Sequence, residues 1–142
     1  MLKEITITEA FSVRHPVLRP GKPIESCHFE GDDLATTKHF GYFDNKHLIG
    51  IISVFKKDNA FFEQNQFQIR GMAVLIAHQK KGIGAALVHF AEQYIQSQKG
   101  SLIWLNARII AVEFYEKSGY QITGNSFEIL EIGTHYVMFK NI

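Results

Sequence analysis

The spacing of apolar and polar residues divides the chain into alternating strand-like and helix-like segments. Residues 3–8 alternate with a period of two, which predicts a first strand, and Thr8 is placed to cap a helix that Pro16 interrupts. The segments "TKHFGYFD" and "HLIGIISVF" flank Asn45-Lys46, a pattern typical of an antiparallel hairpin. The run "NQFQIRGMAVLI" becomes increasingly apolar, which predicts a strand in the middle of a sheet.

From residue 83 onward the period changes to that of a helix. The apolar stripe of this helix consists of Ile83, Ala86, Leu87, Phe90, Ala91, Tyr94 and Ile95. "SLIWLN" predicts a short buried strand, and "ARIIAVEFYEKSGY" predicts a second helix with Asn106 as its N-cap and Gly119 as its end. Two further strands, "YQITGNSFEIL" and "THYVMFK", lie on either side of Gly133. The order β-α-β-β-β-α-β-α-β-β predicts an α/β fold with a mixed sheet covered by helices.

Length and charge narrow the class of protein. A chain of 142 residues fits one domain, so we expect residues 1–142 to form a single domain around one core. The net charge of +1 gives no support for a nucleic-acid or anionic-membrane partner. No apolar run approaches the roughly 20 residues of a membrane span. The single cysteine, Cys27, excludes an internal disulfide and indicates a reducing compartment, so we expect a cytoplasmic protein.

A glycine pair, Gly82-x-Gly84, separates the apolar strand from the amphipathic helix, and Lys80 and Lys81 precede it. Helix N-termini expose unpaired N–H groups that bind phosphates, and glycines let the ligand reach the backbone. A dinucleotide fingerprint would need a third glycine where this chain has Leu87, and an acidic residue about 20 positions further on, which is missing. The Gly-Lys-Ser/Thr end of a Walker A loop is missing too. Two interpretations of the glycine pair remain: a site for another phosphate-containing ligand, and a turn that merely begins a helix.

The stretch Gln79-Lys80-Lys81-Gly82-Ile83-Gly84 resembles the Gln/Arg-x-x-Gly-x-Gly/Ala signature of the GNAT superfamily of acyl-CoA-dependent N-acyltransferases. The strand before it and the helix after it stand where that family has them. "WLNARIIAVEFYEKSGYQI" is similar to the family's second segment that contacts coenzyme A. The resemblance implies a GNAT fold, with a central, mostly antiparallel sheet, splayed strands 4 and 5, and helices on both faces. It also implies acetyl-CoA as cosubstrate and an amine acceptor. Homodimers are common in the family, so a homodimer is an open alternative.

The resemblance assigns roles to individual residues. The glycine loop would hold the pyrophosphate of coenzyme A, and the two neighbouring strands would hold its pantetheine arm. The cofactor-binding set is then Met72, Val74, Gln79, Lys81, Gly82, Gly84, Ala85 and Asn106. Tyr115 matches the tyrosine that protonates the departing CoA thiolate in many members. A phenol with an ordinary pKa of about 10 can act as that acid at neutral pH. The other interpretation of Tyr115 is a core aromatic residue.

The motifs do not identify the residue that acts as general base. Several family members place a glutamate on the central strand, and the matching position here is Gln68, which cannot take up a proton. The substitute candidates are Glu30, Asp32, His39, Glu128, Glu131 and His135. His135 is the first of these, because an imidazole titrates near neutral pH and the last strands lie on the acceptor side in this family. The alternative is a surface strand residue. No His or Cys pair has zinc spacing, so we expect no metal.

The sequence therefore predicts an N-acetyltransferase in which a primary amine attacks acetyl-CoA directly in a ternary complex, with a backbone N–H such as that of Val74 polarising the thioester. The alternative is a non-catalytic acyl-CoA-binding module or sensor, which would explain the missing glutamate. Carboxylates in residues 19–33 favour a cationic acceptor, whereas Arg70 is placed to reach an acidic one. Arg108 is placed either to contact a CoA phosphate or to lie in the first turn of the second helix. The acceptor itself is a small molecule or a protein amine.

Overall fold

The computed structural model describes residues 1–142, which form seven strands and three α-helices. The strands are β1 Leu2–Ile5, β2 Lys38–Asp44, β3 His47–Phe55, β4 Gln66–Val74, β5 Leu102–Arg108, β6 Gln121–Ile129 and β7 Gly133–Asn141. The helices are α1 Ile7–Leu18, α2 Ile83–Ser97 and α3 Val112–Lys117. Short 3-10 turns cover Ile24–Cys27, Ile76–His78 and Ile109–Ala111. All strands belong to one sheet, in the order β1-β2-β3-β4-β5-β7-β6.

The predicted order of elements is confirmed. The β2–β3 hairpin turns at Asn45 and Lys46, whose φ angles of 48° and 73° are both positive, as a type I′ turn requires. The apolar stripe of α2 is buried as predicted at Ile83, Leu87 and Ala91, with Val88 added to it. No helix is both long and apolar enough to cross a membrane.

One pair of strands departs from the antiparallel pattern. β4 and β5 run parallel, and they are paired only where residues 66–68 meet residues 102–104. Beyond that point the two strands diverge, which confirms the predicted splay. A bulge bends β4 in the same region, because Ser53 of β3 pairs with Arg70 while Ile51 pairs with Ala73. Gly71 takes up the extra length with a φ of +67°, a conformation that glycine adopts without strain.

The helices cover both faces of the sheet, as predicted. α1 packs Ala10 and Val13 against Ile51 and other buried residues on one face. α2 and α3 pack on the opposite face, where Ile52 joins the larger core cluster. Successive residues of a strand point to opposite faces, so a central strand covered on both sides needs apolar residues at consecutive positions. This explains the apolar run of β3, in which Ser53 is the one buried polar residue.

The beginning and the interior of the first helix differ from the prediction. Thr6, not Thr8, is the N-cap, because its Oγ1 accepts a hydrogen bond from the Glu9 N–H at 3.1 Å while the Glu9 carboxylate accepts one from the Thr6 N–H at 2.9 Å. This reciprocal pair is a capping box, and it ends β1 earlier than expected. Pro16 does not interrupt the helix, which continues to Leu18. Only one backbone hydrogen bond is lost to the proline ring, close to the C-terminal end.

The second predicted helix begins later than its apolar spacing indicated. Residues 106–108 belong to β5, where Asn106 pairs with Val137 and Arg108 pairs with His135. Asn106 is therefore not a helix N-cap, and Arg108 does not lie in the first turn of a helix. Pairing with β7 satisfies the backbone groups of this segment, and that tertiary interaction outweighs the helical pattern of the sequence.

Candidate functional site

A cavity of about 840 Å³ lies between the splayed ends of β4 and β5. It exists because the two strands stop pairing after Gln68 and Trp104, while both continue in the same direction. The end of α1, the loop before α2, the beginning of α3 and the β6–β7 end complete its walls. All but one of the predicted cofactor-binding residues line it, namely Met72, Val74, Gln79, Gly82, Gly84, Ala85 and Asn106. The exception, Lys81, is exposed and lies outside this cavity.

The glycine loop presents the N-terminal end of α2 to this cavity. Gly82 is the N-cap, with a left-handed φ of +83°, and no side chain caps the helix. The first backbone bond of the helix runs from Ala86 N–H to the Gly82 carbonyl, so the N–H groups of residues 83–85 have no partner within the helix. The positive end of a helix dipole with free N–H groups favours a bound anion.

The two glycines are required for different reasons. Gly82 needs its positive φ, and a Cβ there would meet no atom within 4 Å. Gly84 has an ordinary helical backbone, but a Cβ would lie 3.3 Å from Cζ of Phe114 and 3.6 Å from Cε of Met72. The loop is tied to the end of β4 by Gln79, whose side-chain amide donates a hydrogen bond to the Val74 carbonyl at 2.8 Å.

The backbone N–H of Val74 points toward the cavity. The next amide along the chain, that of Leu75, donates to the Ile49 carbonyl at 2.8 Å and so faces β3. Consecutive amides of an extended strand point to opposite edges, so the Val74 N–H faces the gap that β5 has left. The gap therefore contains a backbone donor with no strand partner.

Tyr115 is both a core residue and a cavity-lining residue. Its ring makes edge contacts with Phe114 and Tyr120, at centroid distances of 5.0 and 5.8 Å. Burial raises the pKa of the Tyr115 hydroxyl well above its ordinary value. The phenol therefore remains protonated and can donate a proton into the cavity.

His135 is buried, with 5% of its surface exposed, so the interpretation of it as a surface strand residue is wrong. β7 lies between β5 and β6, and the ring has Arg108 and Phe127 as its cross-strand neighbours. Its Nδ1 lies 2.8 Å from the Gly133 carbonyl oxygen, and the ring lines the cavity.

The other candidates for the base lie elsewhere. Glu30, Glu128 and Glu131 are exposed and do not line the cavity. Asp32 and His39 are buried but do not line the cavity, and Asp32 is paired with Arg14. Gln68 does line the cavity and is 4% exposed, at the place where the family resemblance puts a glutamate. No three His, Cys, Asp or Glu side chains come together as a metal site would require.

A buried ion pair lies behind the cavity wall, and the sequence analysis does not predict it. Arg14 is fully buried and forms two hydrogen bonds with the Asp32 carboxylate, of 2.7 and 3.0 Å. It also donates to the Cys27 carbonyl at 2.8 Å and to Ser53 Oγ at 3.0 Å. The sequence contained a signal for this residue, because Arg14 shares helical spacing with the buried face of α1.

Four charged residues line the cavity together, and the sequence analysis does not predict that they form one group. They are Arg19, Arg70, Lys80 and Arg108, and no aspartate or glutamate is among the lining residues. The carboxylates of residues 19–33, which favoured a cationic acceptor, are either exposed or, at Asp32, paired with Arg14.

Comparisons with known proteins agree with this architecture. The profile of the "Acetyltransferase (GNAT) family" matches residues 6–120. A curated relative, "Uncharacterized N-acetyltransferase YitI" of Bacillus subtilis (strain 168), is 31% identical over 142 residues, covering 99% of this chain and 95% of that protein.

Solved structures share the fold at lower sequence identity. A crystal structure of an aminoglycoside 6'-N-acetyltransferase complexed with coenzyme A superposes with a TM-score of 0.79 at 17% identity, covering 99% of this chain and 96% of the other. The ribosomal-protein-S18-alanine N-acetyltransferase from Escherichia coli gives a TM-score of 0.77 at 14% identity, covering 100% and 93%. The family profile, the relative along its whole length and the splayed sheet agree: the chain belongs to the GNAT acetyltransferase family and uses acetyl-CoA as its cosubstrate.

Proposed function

We propose that this protein transfers the acetyl group of acetyl-CoA to the nitrogen of a primary amine, by direct attack within a ternary complex. The observation that carries the proposal is the arrangement of Tyr115, His135 and the Val74 N–H around one cavity at the splay of β4 and β5. An acid, a base and an oxyanion donor are the three groups that this reaction needs.

The cosubstrate would bind along the splay. The N–H groups of Gly82, Gly84 and Ala85 would hold the pyrophosphate, and Lys81 would add positive charge from outside the cavity. The pantetheine arm would lie along β4 at Met72 and Val74, pairing with its free backbone groups like an added strand. Two other residues of the set support this position, since Gln79 fixes the loop to β4 and Asn106 lines the wall formed by β5.

His135 is proposed as the general base. Because a carbonyl oxygen only accepts hydrogen bonds, the proton of the neutral ring lies on Nδ1, which contacts the Gly133 carbonyl. Nε2 then has a free lone pair, and it makes no hydrogen bond within the protein. It would take the proton from the ammonium form of the substrate, whose nitrogen has no lone pair until that proton leaves.

The remaining steps follow from the same groups. The neutral amine forms a bond to the thioester carbon, and the Val74 N–H stabilises the oxyanion that develops. The oxyanion collapses, the carbon–sulfur bond breaks, and Tyr115 donates its proton to the departing thiolate. The nitrogen of the adduct loses its second proton to water, from which Tyr115 regains the proton that it gave, and His135 releases its proton to solvent. Burial keeps Tyr115 protonated until that step. Gln68 makes no side-chain hydrogen bond within the protein, and its amide can orient the amine or a water molecule but cannot accept its proton.

The proposal is tested by thiol release from acetyl-CoA over a panel of primary amines. Tyr115→Phe and His135→Gln should each lower kcat by about 100- to 10,000-fold. Tyr94→Phe and His89→Gln are matched controls on α2 outside the cavity and should retain wild-type rates. Wild-type rates in Tyr115→Phe would remove the residue from its role.

The acyl-CoA sensor is the competing function, and Gln68 in place of a carboxylate is the observation in its favour. A sensor would show a higher melting temperature with coenzyme A and no thiol release with any amine. We further propose that residues 1–142 form one acetyltransferase domain, since a single sheet includes strands from Leu2–Ile5 to Gly133–Asn141. A homodimer and a cytoplasmic location remain predictions.

A further inference from the structure

We propose that the acceptor is a small amine that also carries a carboxylate or phosphate group, and that Arg19, Arg70 and Arg108 bind this anionic group. The inference rests on the proposed acetyltransferase function and names the substrate class of the same cavity. It replaces the cationic acceptor that the sequence favoured.

The charges around the cavity are all of one sign. Three arginines and one lysine line it, and no carboxylate does. Lys80 belongs to the glycine loop, where the phosphates of coenzyme A account for it. The three arginines come from other elements: Arg19 follows α1, Arg70 lies on β4 and Arg108 ends β5. Binding of the coenzyme A phosphates at the glycine loop therefore does not explain the combined charge of the three arginines.

These arginines have no anionic partner in the protein. None of the three forms an ion pair within 4.0 Å, whereas Arg14 is paired with Asp32. Arg19 donates only to the Leu18 carbonyl, at 3.1 Å, and the guanidinium groups of Arg70 and Arg108 donate no hydrogen bond within the protein. The sole buried side-chain nitrogen without a partner is Nε of Arg14, so the donors of Arg70 and Arg108 are accessible to solvent, and both residues line the cavity.

Holding these guanidinium groups in half-buried positions near other positive charges costs electrostatic free energy. Burial lowers the pKa of Arg70, and Arg14 and Arg19 act in the same direction, while Asp32 and Glu30 oppose them. Burial also lowers the pKa of Arg108, with a further contribution from Arg19. A guanidinium nevertheless stays charged in proteins, so the repulsion persists until an anion offsets it. A carboxylate or phosphate matches the planar fork of an arginine with two hydrogen bonds.

Phe29 holds one of these guanidinium groups in place. The Cζ atom of Arg70 lies 4.3 Å from the centre of the Phe29 ring, and that of Arg14 lies 4.0 Å from it. The ring is buried, and the Phe29 N–H donates to the Asp32 carboxylate at 2.6 Å. Stacking on an anchored aromatic ring restricts the guanidinium before any ligand binds. The buried Arg14–Asp32 pair thus supports a binding position at the cavity.

The position of the arginines relative to the catalytic groups favours the acceptor over coenzyme A. Arg70 stacks on Phe29, on the face of the sheet that α1 covers, whereas the glycine loop begins α2 on the opposite face. Arg108 lies directly across from His135 in the β5–β7 pairing, and such neighbours have Cβ atoms about 5 Å apart. A molecule whose amine contacts His135 can therefore place an anionic group at Arg108, provided that the two groups are close together.

The test compares amines that differ only in the anionic group. The pairs are β-alanine with β-alaninamide, 4-aminobutyrate with 4-aminobutanamide, and glucosamine 6-phosphate with glucosamine, measured as kcat/KM for thiol release. We expect at least one anionic member to exceed its neutral partner about tenfold or more, since a charge-assisted hydrogen bond contributes roughly 1.5–3 kcal/mol. Arg70→Gln and Arg108→Gln should reduce that preference. Lys57→Gln, which removes an exposed charge outside the cavity, should not.

The possible failures are distinguishable. Equal rates for both members of every pair, with thiol release intact, would overturn this inference and leave the acetyltransferase function standing. A raised KM for acetyl-CoA in Arg70→Gln and Arg108→Gln, with the preference unchanged, would assign the arginines to coenzyme A and also overturn it. If no amine of the panel reacts, inorganic phosphate is added to the CoA-saturated protein, against chloride at equal ionic strength. A rise in melting temperature that both variants lose supports the inference, and no rise, or an equal rise in the variants, overturns it.

Discussion

The Nδ1 atom of His135 lies 2.8 Å from the carbonyl oxygen of Gly133, the first residue of β7. This contact orients the ring and determines which nitrogen carries the proton in the neutral form. The consequence is a buried imidazole whose Nε2 makes no hydrogen bond within the protein, next to a cavity where Gln68 occupies the strand position at which the family resemblance puts a glutamate.

Replacing His135 by glutamine should remove the group that takes the proton from the substrate ammonium. The variant should lower kcat/KM for thiol release by about 100- to 10,000-fold, because an amide cannot accept that proton. His89→Gln, on α2 outside the cavity, is the matched control and should keep the wild-type rate. A wild-type rate in His135→Gln would assign proton removal to another group.

Tyr115 should make folding stability fall at alkaline pH. Burial raises its pKa in the folded protein, so above pH 10 the unfolded chain loses a proton that the folded protein keeps. Below pH 10 both states are protonated and the hydroxyl makes no pH-dependent contribution. Above it, the free energy of unfolding should fall by up to about 1.4 kcal/mol per pH unit for each such tyrosine.

Urea unfolding at pH 8 and pH 11 measures this loss. Tyr115→Phe should lose less stability than the wild type over the same interval, because the variant has no hydroxyl to ionise. Burial raises the pKa of Tyr120 as well, with smaller contributions from Glu92 and Tyr115, and Tyr120 remains in both proteins, so the variant should keep part of the loss. Equal losses would show that Tyr115 ionises freely in the folded protein.

Asp32→Asn should destabilise the fold strongly. The side chains of Arg14 and Asp32 are both fully buried, so removing the carboxylate leaves an unpaired charge in the interior. Breaking one side of such a pair costs roughly 3–5 kcal/mol. Asp33→Asn is the matched control, because Asp33 pairs with His28 at an exposed site and should contribute less than about 1 kcal/mol. Urea unfolding of the two variants measures the difference, and similar losses would contradict the account.

Gly82→Ala should weaken coenzyme A binding beyond its effect on stability. A non-glycine residue with a positive φ costs about 1–2 kcal/mol. Gly21→Ala is the control, since Gly21 also has a positive φ and open space around it but does not line the cavity. Both variants should lose similar stability in urea, and titration calorimetry should show weaker binding only for Gly82→Ala. Equal affinities would place the cosubstrate phosphates away from this loop.

Local patterns allowed the order of elements to be predicted, because each strand or helix carries its own period. The β2–β3 hairpin is an example, since Asn45 can adopt the left-handed conformation that the turn needs. Element boundaries depended on competing partners instead. Thr6 and Thr8 are both good caps, and only Thr6 has a glutamate three residues later. Asn106 is a good cap in sequence, but pairing of its segment with β7 keeps it in a strand.

The parts of the site that carry a sequence motif could be predicted from the sequence. The parts that depend on the register between strands distant in sequence could not. The glycine loop and Tyr115 could be located from their neighbours in the chain. The position of Arg108 opposite His135 arises from the register of β5 on β7, which residues far apart in sequence determine. The pairing of Arg14 with Asp32 likewise depends on the path of the loop after α1. From the sequence alone, without that pairing, the carboxylates of residues 19–33 favour a cationic acceptor.

The most direct test of the account is thiol release from acetyl-CoA at equal concentrations of protein and cosubstrate, followed before and after the amine panel is added. Direct attack in a ternary complex predicts no release before the amine and continued release, with acetylated amine, after it. One equivalent of thiol released per chain before the amine, with the acetyl group bound to the protein, would contradict direct attack. No release after it, with a melting temperature that coenzyme A raises, would contradict catalysis itself.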